Sequence, residues 1–301
     1  MRILILTLIC SCGLLLGNAF GWYPAAANES LLPARWQGAL VGRDDFCIID
    51  GGDSLIEIAH WEGLGYNNLL AANPGVNPWL PEARTRLRLP YATLLPAEAQ
   101  AGITINLAEF RLYLIWPHGD RMRVRIYPIG LGRADWDTPE GDFHVTGIIE
   151  RPAWVRPASM RSEAAELPTV VGPGPDNPLG SHWIELSAAG YGIHGTNRPL
   201  GIGRRVSHGC VRLYPRDIID LAERVKPGTP VRVIYRPVKV GSDGKRLLVE
   251  IHQDFLGRIK DPLLEIRRAA QALDWQGLPG DRELLELVTQ ARGVPVAISG
   301  P

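Results

Sequence analysis

One thiol and two imidazoles are gathered between Tyr191 and Leu213, first in Tyr-Gly-Ile-His-Gly-Thr-Asn and then, past a Gly- and Arg-rich connection, in Ser-His-Gly-Cys-Val-Arg-Leu. The 301-residue chain has only seven histidines and four cysteines, so the clustering of Cys210, His194 and His208 is a chemical signal. A cysteine attacks a carbonyl as thiolate, and a neighbouring imidazole both removes its proton and stabilises the anion. Tyr191–His194 and Val206–Leu213 read as strand-like runs, in which side chains alternate and His208 and Cys210 share a face. Residues two apart on one strand diverge, whereas a residue directly opposite on the next strand brings its Cβ to roughly 4.5–5.5 Å. That geometry favours His194 as the base and leaves His208 to orient substrate or support the site. Gly209 permits a tight backbone whose N–H, with that of Cys210, could form an oxyanion hole. Arg212, two residues beyond the thiol, could hold a substrate carboxylate in a bidentate pair or serve a structural ion pair. No Cys-x-x-Cys or other ligand spacing accompanies these residues, so no metal is expected at them.

The run His194-Gly195-Thr196-Asn197 followed by Ser207-His208-Gly209-Cys210-Val211-Arg212-Leu213 resembles the signature of the L,D-transpeptidases, with their YkuD-type catalytic domain. The resemblance implies Cys210 as nucleophile and His194 as proton acceptor and donor, with Gly195, Ser207, His208, Gly209 and Arg212 shaping the pocket. It further implies a thioester acyl-enzyme formed on peptidoglycan tetrapeptide stems with release of D-alanine, and no metal or organic cofactor. A second stem peptide would then yield a 3-3 cross-link, a lysine of a wall-anchored lipoprotein would yield attachment, and a free D-amino acid would yield exchange. A carboxypeptidase or hydrolase of the same fold, and a non-catalytic peptidoglycan-binding protein, are the alternatives. The gap between His194 and Ser207 is short relative to some members of the family, so the lid over the site is expected to differ from theirs.

The elements that must position these residues are mostly strands. Alternation begins at Gly102 with Ile103, Ile105 and Leu107, turns near Ala108-Glu109, and resumes with Leu112, Leu114 and Trp116. Arg121–Ile126 alternates again with its arginines outward, as a solvated face or a surface for the anionic wall. Further strands are expected at Gly141–Ile148, Ser181–Leu186, Gly192–His194, Cys210–Leu213 and Pro230–Tyr235. Pro215 opens a helix to about Val225, with Ile218, Leu221, Ala222 and Val225 on one face. The long Pro- and Gly-rich stretch Glu150–Asn177, with a short helix at Ala158–Glu166, is of a size common in lids. The fold class is thus mainly β with some α, and the resemblance implies a YkuD-type β sandwich or barrel over residues 100–237.

Ahead of it, residues 41–90 carry their own punctuation. Ser54 and Glu57 form a capping-box pattern before Leu55, Ile58 and Ala59; a second helical piece, Asn67–Ala72, stops at Asn-Pro-Gly; and Leu87–Pro90 closes as a strand. This βααβ order, with Gly-Asp-Ser-Leu and Leu-Leu-Ala-Ala-Asn-Pro-Gly, resembles a LysM module, which implies binding of peptidoglycan glycan. Tyr91–Ala101 reads as a linker. Residues 238–301 offer a hairpin turning at Ser242-Asp243-Gly244 and helices within Asp261–Asp274 and Asp281–Arg292, a cap or appendage without a chemical motif.

Met1-Arg2, an apolar run to Leu16 and Gly17-Asn18-Ala19 form the pattern of a secretory signal peptide spanning residues 1–19, which directs the chain to the periplasm or cell envelope. That run is short for a membrane span, so contact with a membrane is expected only if it stays uncleaved. Removing it leaves Cys47 and Cys210; a disulfide between them would silence the nucleophile, so Cys47 is expected to be a buried small hydrophobe. Charge is balanced at 32 basic and 32 acidic residues, which gives no footprint for nucleic acid.

Overall fold

The computed structural model describes residues 29–34, 36–157, 168–243 and 245–298. The expected signal peptide at 1–19 and the helix at Ala158–Glu166 lie outside the described residues, as does Gly244 of the C-terminal turn. The chain is mainly β, with five α-helices among the described residues. Its centre is a nine-stranded sheet in the order Glu29–Leu31, Arg121–Pro128, Arg111–His118, Gly102–Asn106, Pro230–Ile234, Gly141–Glu150, His182–Leu186, Gly192–His194 and Val211–Arg212. All neighbours run antiparallel except two pairs: Gly102–Asn106 with Pro230–Ile234, and Gly192–His194 with Val211–Arg212.

Alternation explains the sheet's core, with one addition. Leu112 and Leu114 face the main cluster with Ile103, Ile105, Val145, Ile193, Val211 and Leu213. Their neighbours Tyr113 and Ile115 are buried too, in a second cluster on the opposite face with Leu32, Leu95 and Val124. This strand therefore lies between two apolar layers, and each fully buried aliphatic side chain contributes about 1.5–3 kcal/mol. The turn expected near Ala108-Glu109 is a single 3-10 turn, Leu107–Glu109, whose glutamate is fully buried.

The helices begin and end where local chemistry dictates. Helix α1 (Leu55–Trp61) has its capping box: the Ser54 N–H donates to Glu57 Oε2 at 2.9 Å, and Leu55, Ile58 and Ala59 are buried. Helix α2 (Tyr66–Ala72) follows, then strand Arg86–Leu89, which pairs antiparallel with Asp45–Ile48. Helix α3 (Pro215–Arg224) starts on Pro215 and buries Ile218 and Leu221. The C-terminal residues form a three-stranded sheet, Val238–Ser242, Leu247–Ile251 and Val296–Ile298, under α4 (Pro262–Ala272) and α5 (Asp281–Gln290). Asp261 caps α4 by accepting from Leu264 N–H at 2.9 Å.

Four expectations are corrected. Tyr91–Ala101 is no linker: Thr93, Leu94 and Leu95 are fully buried, and Thr93–Leu94 pairs with Leu40–Val41. The arginines of Arg121–Pro128 do not form a free face, because strand Glu29–Leu31 covers that edge and Glu29 pairs with Arg123 and Arg125. Cys47 is half-buried rather than buried, between Phe46 and Ile48, whose side chains are exposed. Val206–Leu213 is not one strand: Arg205–Ser207 pairs with Leu131–Gly132, Val211–Arg212 pairs in the main sheet, and a bend separates them.

Candidate active site

The bend between those two strands carries the thiol. Gly209 sits at φ +101°, where a Cβ would meet the Tyr191 ring at 2.7 Å, so only glycine fits without a shift. Ser207, 1% exposed, staples the turn: its Oγ accepts from the Gly209 N–H at 3.2 Å and donates to the Cys210 carbonyl at 2.6 Å. The Gly209 amide is therefore occupied, which removes one of the two oxyanion donors expected from sequence. Alternation also fails through this bend, so the shared face predicted for His208 and Cys210 does not follow.

His194 ends its strand and pairs, in parallel register, with Arg212 rather than with Cys210. The thiol instead lies level with Gly192, whose N–H reaches the sulfur, while the S–H points to the Gly190 carbonyl at 3.8 Å. The imidazole is held firmly. His194 Nδ1 lies 2.6 Å from the Gly195 carbonyl, which can only accept, so Nδ1 carries the proton and Nε2 has the lone pair. Trp183 stacks on the same ring at 5.7 Å between centroids. His208 packs edge-on against Trp136, 5.3 Å away.

The electrostatics are those of a neutral resting pair. Burial, and then the positive charge of Arg212, hold the His194 imidazole down to about 3, against the opposing pull of the Gly195 bond. Burial pushes the Cys210 thiol up, opposed by the Gly192 amide and by Arg212. Arg212 itself is lowered by burial, and its Nε is buried without a hydrogen-bond partner among the described residues. A buried donor left unmade is costly, so this guanidinium is prepared for an anionic acceptor. Iodoacetamide should accordingly alkylate Cys210 at a rate that climbs with pH up to and beyond the ordinary thiol value of 9.0. A plateau near pH 6 in that profile would instead mean a preformed thiolate.

The structure thus brings Ser207, Gly209, Cys210 and Arg212 together with His194 and Gly195 at one edge of the sheet, and leaves His208 against Trp136. It also adds residues that sequence reasoning misses. Thr138 Oγ1 donates to the Gly209 carbonyl at 2.8 Å and so fixes the peptide next to the thiol. Nothing near Thr138 signals this, because the contact depends on the long-range pairing of Leu131–Gly132 with Arg205–Ser207.

A group of potential metal ligands lies elsewhere. Glu109, Glu250 and His252 place their ligand atoms within 4.8 Å of one another. Lys239 Nζ stands 2.5 Å from Glu109 and 3.2 Å from Glu250, and Arg111 Nη1 2.9 Å from Glu250. Those carboxylates are already neutralised by side-chain cations, so the donor set does not fit a divalent ion.

Comparison with known proteins agrees with this geometry. A family model described as the L,D-transpeptidase catalytic domain, YkuD, matches residues 100–233. The probable L,D-transpeptidase YcfS of Escherichia coli strain K12 is 41% identical over 290 residues, covering 91% of this chain and 89% of its own. The probable L,D-transpeptidase YbiS of the same strain is 38% identical over 295 residues, 91% of this chain and 94% of its own. The probable L,D-transpeptidase ErfK/SrfK of Salmonella typhimurium is 44% identical over 200 residues, 64% of this chain and 63% of its own.

Proposed function

The chain belongs to the L,D-transpeptidase family and is an L,D-transpeptidase, and from that premise we propose that it works through a Cys210 thioester on peptidoglycan tetrapeptide stems. The observation that carries this reading is the His194–Gly195 bond, which leaves the unprotonated Nε2 of an oriented, neutral imidazole as the base beside the thiol's strand. His194 Nε2 takes the S–H proton as sulfur attacks the carbonyl of the third stem residue. The Cys210 N–H stabilises the developing oxyanion, and the C–N bond to D-alanine breaks as His194 returns the proton to the leaving amine. An acceptor amine then attacks the thioester, the C–S bond breaks, and the thiol is restored. Arg212 holds a substrate carboxylate.

The acceptor is a second stem peptide, giving a 3-3 cross-link, or a lipoprotein lysine, giving attachment to the wall. This chemistry belongs in the periplasm or cell envelope, reached through the signal peptide at residues 1–19. Residues 41–90 act as a LysM-like module that binds the glycan, residues 100–237 as the catalytic domain, and residues 238–301 as its cap. Trp79, 68% exposed on the loop after α2, offers a ring for a sugar face. Trp79→Ala should lower retention on insoluble peptidoglycan about threefold or more, and unchanged retention would remove glycan binding from this loop.

Because the imidazole stays neutral down to about 3, acylation should be flat between about pH 4 and pH 7 rather than fall through an ordinary histidine value of 6.5. The central test is intact-mass analysis of the signal-free protein with a disaccharide-tetrapeptide and an amine acceptor. An adduct on Cys210 and a new amide at stem residue three support the transpeptidase. D-alanine release with only tripeptide formed would make it a carboxypeptidase, and no adduct would overturn the catalytic reading.

A further inference from the structure

The helical pair α1–α2 touches the catalytic domain at several places, Asn68 Nδ2 donating to the Glu109 carbonyl at 3.1 Å among them, and two of these places flank the turn that carries Cys210. Ahead of the turn, Gly65 and Gly203 meet backbone to backbone. A Cβ on Gly203 would lie 2.2 Å from Tyr66 N and 2.6 Å from Gly65 C, and Gly203 already sits at φ +80°. Glycine at the N-cap of α2 offers no side chain to satisfy the free amides of the first turn. The carbonyls of the connection take that part: Tyr66 N–H donates to Ile202 at 3.3 Å and Asn67 N–H to Gly203 at 3.4 Å. Arg204 lies over the Tyr66 ring at 5.7 Å.

Behind the turn, Tyr214 is 1% exposed; its hydroxyl donates to the Leu64 carbonyl at 2.9 Å and its ring packs on His60 at 5.2 Å. From these two grips the path to the sulfur is short. Arg204 O accepts from Leu131 N–H at 3.0 Å, Arg205–Ser207 continues beside Leu131–Gly132, and Ser207 staples Gly209 and Cys210. On the other side, Leu213 N–H donates to the His194 carbonyl at 2.8 Å, directly before Tyr214.

We propose that α1–α2 is a positioning element of the active site: it clasps the catalytic turn at Ile202–Arg204 and at Tyr214, so displacing the helical pair displaces the thiol relative to the imidazole. Gly203 and Tyr214 are the positioning residues. The inference rests on Cys210 as the nucleophile, and it gives residues 41–90 a task separate from any hold on glycan.

The test compares full-length, signal-free wild type, Gly203→Ala and Tyr214→Phe at 25 °C, each checked for native circular dichroism and melting temperature. One readout is alkylation of Cys210 by iodoacetamide, which needs no assumption about function. The other is kcat and KM for thioester formation with a soluble disaccharide-tetrapeptide at saturation, where affinity for polymeric glycan does not enter. Gly203→Ala should lower kcat about tenfold and raise alkylation at least about threefold as the half-buried sulfur opens; Tyr214→Phe should shift both in the same directions by about half as much on a logarithmic scale. KM should change little.

Wild-type alkylation and kcat in folded variants would reduce the contact to packing and overturn the inference, as would an effect confined to KM. If Gly203→Ala does not fold, Tyr214→Phe decides alone, since it removes one hydroxyl and keeps the ring. If the wild type alkylates but forms no thioester, the catalytic reading fails, and the alkylation rates still decide whether the helical pair positions the thiol.

Discussion

Cys210→Ala is expected to abolish the thioester adduct while leaving the urea midpoint of unfolding within error of the wild type. The sulfur is half-buried and makes only weak contacts, from the Gly192 N–H and to the Gly190 carbonyl at 3.8 Å, so little stability resides in it. The fold of the turn depends instead on Ser207 Oγ and the Gly209 backbone, which the substitution leaves intact. His194→Ala should reduce acylation about 10²–10⁴-fold, the usual worth of a positioned general base. His208→Ala should cost far less, because that ring packs on Trp136 whereas His194 has its tautomer set by the Gly195 carbonyl. Single-turnover acylation followed by mass spectrometry measures all three. A larger loss at His208 than at His194 would overturn the assignment of the base.

The largest effect on stability should come from far outside the site. Lys239, 4% exposed, donates to Glu109 at 2.5 Å, to Thr93 Oγ1 at 2.8 Å and to the Leu94 carbonyl at 2.7 Å. Arg111 shares Thr93, Glu109 and Glu250, and His252 lies 2.8 Å from Glu250. Burial alone would raise the Glu250 carboxyl, but Lys239, His252 and Arg111 outweigh it and hold it below the usual carboxylate range. Burial lowers the His252 imidazole, against the opposing pull of Glu250 and Glu109. Two carboxylates thus face the side chains of Lys239 and Arg111.

Lys239→Met removes one cation and strands a buried negative charge, at a cost of about 3–5 kcal/mol. Urea titration should show the corresponding fall in midpoint, and Lys239→Met combined with Glu109→Gln should recover much of it. Because the cluster joins Thr93–Leu94, the 109–113 region and the C-terminal sheet, loss of Lys239 should also separate the unfolding of residues 238–298 from that of the main sheet. A single unchanged transition for Lys239→Met would show that the cluster contributes no net stability.

What the sequence made legible follows from range. The candidate motif is local, so Cys210, Ser207 and His194 stand out by type and spacing. The helices were legible for the same reason: Ser54 and Glu57 start α1, Pro215 starts α3, and apolar spacing gives their buried faces. Pairing is a different matter. Parallel register between Gly192–His194 and Val211–Arg212 depends on how sixteen intervening residues cross over, and the bend at Gly209 broke an alternation that looked continuous. Charged residues misled most. Nothing in the sequence marks Glu109, Lys239 and Glu250 as buried, because the cluster that holds them is completed by partners far away in the chain. Arg123 and Arg125 read as a free face until Glu29 supplied their counter-charge.

The position of strand Pro230–Ile234 has a consequence for when the enzyme can exist. It lies in the middle of the nine-stranded sheet, parallel to Gly102–Asn106 on one side and antiparallel to Gly141–Glu150 on the other. A chain made from its N-terminus therefore holds two unjoined half-sheets, with Ile103 waiting for Val231 and Phe143 for the same residue. Contacts of such long separation form slowly and late. The His194–Cys210 pair belongs to the second half-sheet, and its support from Ile129–Gly132 and α2 comes from the first. The proposed nucleophile thus acquires its pocket only after residues 230–234 have emerged, which ties the onset of thiol chemistry to a late stage in the synthesis of residues 100–237.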